Sequence, residues 1–118
     1  MEKCLVVLKK RRDFVQVAEQ GKKFVTPTVV LQFLDASDEN LSTETIRVGF
    51  TTTKKIGIAV KRNRVRRRLR AAAREVLPQF GKKGAAYVLI GRLGTFDAPF
   101  ETILSDLKKA VRIIEKLK

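Results

Sequence analysis

The chain has 118 residues, with 26 Lys and Arg against 12 Asp and Glu, no histidine and a formal charge of +14. That length suits one domain spanning residues 1–118, and a hydrophobic fraction of 44% supports a core and argues against disorder. Self-repulsion on this scale implies an acidic partner, whereas a chain without histidine, with a lone Cys4 and with singly scattered acids lacks the residues for zinc, dyad or triad chemistry.

Taken in order, residues 1–9 read as an extended lead-in. Their apolar run 5–8 is too short for a signal peptide or a membrane span, so a cytoplasmic protein is expected. Residues 11–20 form a short helix with Phe14, Val17 and Ala18 on one face, and Gly21 suits a left-handed cap. A basic stretch 22–25 and a break at Pro27 lead to a strand over 29–34, with Val29, Leu31 and Phe33 toward the core and Val30, Gln32 and Leu34 opposite. Residues 35–45, with four acids among Ser, Asn and Thr, are expected to be a mobile, solvated loop.

A second strand, 46–53, sets Val48, Phe50 and Thr52 against a small, polar face of Arg47, Gly49, Thr51 and Thr53, which leaves room for something to lie on it. A helix from about residue 59 to 77 follows and ends at Pro78. Residues 85–90 make a third strand, and Asp97 is a credible N-cap for a last helix whose stripe is Phe100, Ile103, Leu104, Leu107, Val111 and Ile114. Asp106 reads as helix surface and Glu75 as a local partner for arginine. Phe33, Phe50 and Phe100 read as packing. No repeat or low-complexity segment appears, so the whole is one α+β domain.

The most informative stretch is residues 54–74, which holds ten of the Lys and Arg residues and no acid. On a helix, Val65, Leu69, Ala72 and Val76 fall at i, i+4, i+7 and i+11 and make an apolar seam. Asn63, Arg67, Arg70 and Arg74 lie roughly opposite, flanked by Arg64 and Arg66. An exposed helix ordinarily interleaves Glu with Lys; here like charges repel by about 0.2–0.5 kcal/mol per i,i+4 pair unless a polyanion relieves them. Arginine's planar fork suits bidentate contact with phosphate. Phe14, beside Arg11 and Arg12, is the candidate stacking platform for single-stranded nucleic acid, with core packing as the alternative.

At these residues the chain resembles the protein subunit of bacterial ribonuclease P. The resemblance rests on Lys54-Lys55-Ile56-Gly57, Ala59-Val60 and Arg62-Asn63-Arg64 with the basic positions after them. It extends to Arg47-Val48-Gly49-Phe50, Leu8-Lys9-Lys10 and Asp13-Phe14. It implies an α+β fold with a mixed sheet of about four strands and three helices, the basic helix lying in a left-handed β-α-β crossover of the kind found in a ribosomal-protein domain. It further implies that catalysis belongs to an RNA subunit, with Mg2+ held mainly by that RNA and the substrate and no protein metal site. The partners implied are the catalytic RNA and precursor tRNA, with no membrane, and the protein alone monomeric.

Carried over by position, Lys54, Lys55, Lys61, Arg62, Asn63, Arg64, Arg66, Arg67, Arg70 and Arg74 would contact RNA. Phe14, Val30, Gln32, Thr51 and Thr53 would line a cleft for the single-stranded 5′ leader. Ala18 and Gln32 stand where many members carry aromatics, so stacking should be weaker here. Arg68 replaces a frequent aliphatic, and its stem would pack while its head reaches out. The rival readings are a ribosomal or other structural RNA-binding protein with a basic crossover helix, and a free-standing metal-dependent nuclease.

Overall fold

A computed structural model describes residues 4–35 and 45–117. The order is β1 (Cys4–Val7), α1 (Arg11–Gln20), β2 (Lys22–Val25), β3 (Val29–Leu34), β4 (Thr45–Thr52), a 3-10 turn (Lys54–Ile56), α2 (Ala59–Phe80), β5 (Ala86–Gly91), α3 (Leu93–Asp97) and α4 (Phe100–Ile114). The sheet has five strands in the order β1-β4-β5-β3-β2, one more than expected. β1 pairs parallel with β4, and β2 pairs antiparallel with β3. Both edge strands have four residues, and their pairing is tertiary, so neither declares itself through a long alternating pattern.

β4 and β5 are parallel neighbours joined through α2, which is therefore a crossover helix. Val29, Leu31 and Phe33 of β3, Ile46 and Val48 of β4 and Tyr87 and Leu89 of β5 form the main core with α2 and α4. The opposite face of β5, Ala86 and Val88, packs with Leu8 and Val17 under α1. The period-2 alternation thus sorts the sheet into two layers of unequal thickness.

Val65, Leu69, Ala72 and Val76 of α2 are all buried, as the seam requires. Burying a Val or Leu side chain stabilises by about 1.5–3 kcal/mol, enough to hold a charged helix against the sheet. The helix does not stop at Pro78 but runs to Phe80, where Gly81 caps it by donating to Leu77 O. A proline this close to the end leaves few turns for its ring to disrupt, and Leu77 beneath it is buried.

Asp97 is the last residue of the short α3, not the N-cap of α4, which begins after Pro99. Asp106 is not plain surface: it accepts from Thr28 Oγ1 at 2.7 Å, tying α4 to the residue just before β3. Gly21 is extended (φ −93°, ψ −172°) rather than left-handed. Its need for glycine is spatial, since a Cβ would lie 2.3 Å from Phe33 O. Glu75 is exposed and forms no ion pair among the described residues. The loop expected to be mobile lies outside the described residues except at its ends; Asp35 pairs with Lys82.

Candidate nucleic-acid interface

Two surfaces gather the residues that the sequence singles out. The first is α2. Its entry is set by Gly57, whose φ of +100° only glycine adopts without strain, and this turns the chain from Lys54–Ile56 into the helix. Along the helix Lys61, Asn63, Arg64, Arg67, Arg70 and Arg74 are exposed and Arg62 and Arg66 half-buried. No carboxylate among the described residues pairs with any of them.

Their neighbours are instead aromatic or neutral. Arg66 Nη1 donates to Asn63 Oδ1 at 3.1 Å. Lys61 Nζ and Arg64 Cζ lie 5.5 and 5.6 Å from the centre of the Phe96 ring, and Arg70 Cζ lies 5.9 Å from that of Phe50. Such contacts steady a cation without neutralising it. The buried Arg62 Nε has no hydrogen-bond partner among the described residues.

Arg68 departs from its expected role. Half-buried, it turns its head to donate to Phe96 O at 2.8 Å and to Ala98 O, at the C-terminal end of α3. These carbonyls lack helical partners, and a guanidinium fork satisfies both. Desolvation, and secondarily the Arg64 charge, lower its pKa. Arg68 is a strut, and the basic surface does without it.

The second surface lies on the other side of the sheet, where α1 crosses β4 and β5. A hollow of about 520 Å³ is lined by Phe14 and Ala18 of α1, Gln32 of β3, Thr51 of β4 and Val88 of β5, with Lys9 and Arg11 beside it. Register explains the convergence: Gly49 and Gln32 both pair with Val88, and Thr51 pairs with Ile90 in the next row. Gly49 gives Phe14 its seat, because a Cβ there would lie 2.6 Å from the ring's Cε1.

Phe14 is half-buried against Leu8, Val17 and Val88 while the ring also lines the hollow, so core and cleft are not exclusive for it. Val30 shares the face, in the Thr51–Ile90 row, but is not part of the lining, and Thr53 lies past the end of β4. Lys9, quoted only as part of the family resemblance, and Val15 also line the hollow, a role the sequence did not assign them. The i,i+1 position of Val15 beside Phe14 was a weak signal, and the placement of Lys9 depends on Leu8 N donating to Val48 O.

Among the described residues no group of three or more His, Cys, Asp or Glu side chains is placed to hold a metal ion. No helix among them is long and apolar enough to cross a membrane.

The sequence profile of the family described as Ribonuclease P matches residues 3–115. The chain is 44% identical over 110 residues to the ribonuclease P protein component of Paramagnetospirillum magneticum, covering 93% of this chain and 83% of that one. It is 37% identical to that of Clostridioides difficile, covering 89% and 88%. In fold it is similar to the RNase P proteins of Staphylococcus aureus (TM-score 0.73, 21% identity, 91% and 93% covered) and Thermotoga maritima (TM-score 0.69, 24% identity, 94% and 96% covered).

Proposed function

The chain belongs to the ribonuclease P family, as a protein component of that tRNA-processing endoribonuclease, and on this premise we propose that its two faces divide the work of the holoenzyme. Membership implies association with the ribonuclease P RNA. The acid-free face of α2, with Lys61, Arg62, Asn63, Arg64, Arg66, Arg67, Arg70 and Arg74, holds that RNA through its phosphates. Lys54 and Lys55 join them from the turn before the helix. The hollow beneath α1 takes the 5′ leader of precursor tRNA, one base against Phe14 and its backbone near Lys9 and Arg11.

The observation that carries this reading is the opposition of the two surfaces. Gln32, Thr51 and Phe14 meet on one side of the sheet, while the seam of α2 is buried on the other. On this reading one protein touches a structured RNA and a single strand at once. Base stacking on one aromatic contributes about 1–3 kcal/mol and is sequence-tolerant, which suits leaders of varied sequence.

Mg2+ for the hydrolysis is proposed to be held mainly by the RNA subunit and the substrate. The protein's own contribution is to neutralise phosphate repulsion and to position the leader. The free protein is proposed to be monomeric and cytoplasmic.

Reconstitution with the RNA subunit tests the division of labour. Phe14→Ala is expected to lower the ratio of precursor to mature tRNA affinity. Paired Arg67→Ala and Arg70→Ala are expected to weaken RNA assembly and leave that ratio alone. An unchanged ratio in a folded Phe14→Ala protein would refute the leader assignment.

A further inference from the structure

We propose that the outer face of α4 is a second phosphate-binding surface, engaged by the same RNA subunit that α2 holds; this rests on the reading of α2 given above. Lys108, Lys109, Arg112 and Lys116 project there around an open hollow of about 650 Å³, with Leu104 and Ile113 as an apolar floor. All four cations are exposed, and none pairs with a carboxylate among the described residues.

No acid of α4 forms an ion pair with this stripe among the described residues. Asp106 is bonded to Thr28. Glu115 faces Tyr87 Oη at 3.5 Å, and Glu101, in the first turn where the helix dipole favours it, lines the hollow but pairs with none of the four cations among the described residues. The dipole also favours cations in the last turn, which accounts for Arg112. It falls off too quickly to account for Lys108 and Lys109, a turn earlier.

The stripe adjoins the α2 surface at two places. Near the start of α4, Phe100 shares a notch with Arg64, Arg67, Arg68 and Ala71. Further along, Lys108 Nζ lies 5.8 Å from the centre of the Phe80 ring at the end of α2. Lys108 and Arg112 are four residues apart, about 6 Å along the axis, so successive cations can follow a strand of phosphates rather than crowd one.

The occupant is RNA rather than a membrane or an apolar protein groove. The apolar face that a membrane-surface helix would insert is already spent, since Ile103, Leu107, Val111 and Ile114 are buried in the core. What remains outward is mainly cationic, and a polyanion is its complement.

The test measures affinity of the full protein for the ribonuclease P RNA subunit across a salt series, and photocrosslinking from p-benzoylphenylalanine placed at Ser105, an exposed residue of the hollow. Changing Lys108, Lys109, Arg112 and Lys116 to Gln together should make the slope of log K against log salt shallower by about 0.7–0.9 for each engaged cation, or about five- to eightfold in affinity per cation at 0.1 M salt relative to 1 M. An RNA adduct from Ser105 is expected alongside. A shallower slope without an adduct would mean bulk charge alone and would overturn the proposal, as would an adduct-free protein that instead binds phosphatidylglycerol vesicles. An adduct from Ser105 with an unaltered slope for the Arg67→Ala, Arg70→Ala protein would keep the α4 surface and overturn the reading of α2.

Discussion

Arg68 and Asn63 both stand among arginines, yet their partners give them different work. Arg68 closes the carbonyl end of α3. Hydrogen bonds from a charged donor contribute about 1.5–3 kcal/mol each, so Arg68→Met should lower stability by about 2 kcal/mol in urea unfolding while leaving the salt slope of RNA binding unchanged. Asn63 accepts from Arg66 and so holds that guanidinium in one pose. Asn63→Ala should weaken RNA assembly by about 0.5–1.5 kcal/mol with no loss of charge, read as holoenzyme activity at limiting Mg2+. Equal activity for Asn63→Ala and wild type would make Asn63 a surface residue of no consequence. Gly49→Ala would force its Cβ against the Phe14 ring; the ring should shift out of its seat, lowering affinity for precursor but not mature tRNA.

At the scale of the element, α2 shows how one helix serves two masters. Its seam is buried by the sheet and α4, which fixes its rotation, and the rotation delivers the arginine face to solvent. Because the charge is held on a rigid element and not a tail, the proposed phosphate contacts would form without a large ordering cost. Six such contacts predict a slope of log K against log salt of about −4 to −5. A slope near −1 in the reconstituted complex would show the arginine face to be merely solvated. Removing Arg67 and Arg70 together should flatten the slope by about 1.4–1.8.

Across the whole molecule, charge and burial set a limit at high pH. Tyr87 is buried, and desolvation above all raises its pKa far beyond the ordinary 10.0. Lys82, hydrogen-bonded to Asp35, is also raised above its ordinary 10.5. For both groups the folded state holds its proton more tightly than the unfolded chain, so the stabilisation is full below the unfolded pKa and is lost as pH rises past it. Stability should therefore fall above about pH 10, Tyr87 contributing up to about 1.4 kcal/mol per pH unit until its folded pKa is reached. Tyr87→Phe should flatten that decline in thermal unfolding. It should also cost something at neutral pH, because Tyr87 Oη accepts from Lys82 N at 2.8 Å.

The sequence by itself determined what periodicity and charge can carry. The α2 seam, the two faces of β3 and β4 and the α4 stripe all follow from repeats of 3.6 and 2.0 residues, and an acid-free run of arginines announces a polyanion wherever it folds. The family was legible too, because its motif lies in one continuous segment. Tertiary structure decided the rest. The edge strands β1 and β2 exist through their partners, α3 is held at one end by an arginine from a distant helix, and the hollow beneath α1 is assembled from α1, β3, β4 and β5 by register. Whether Phe14 packs or presents its ring depended on the absence of a side chain at Gly49, 35 residues away in the chain, and no local pattern records such a vacancy.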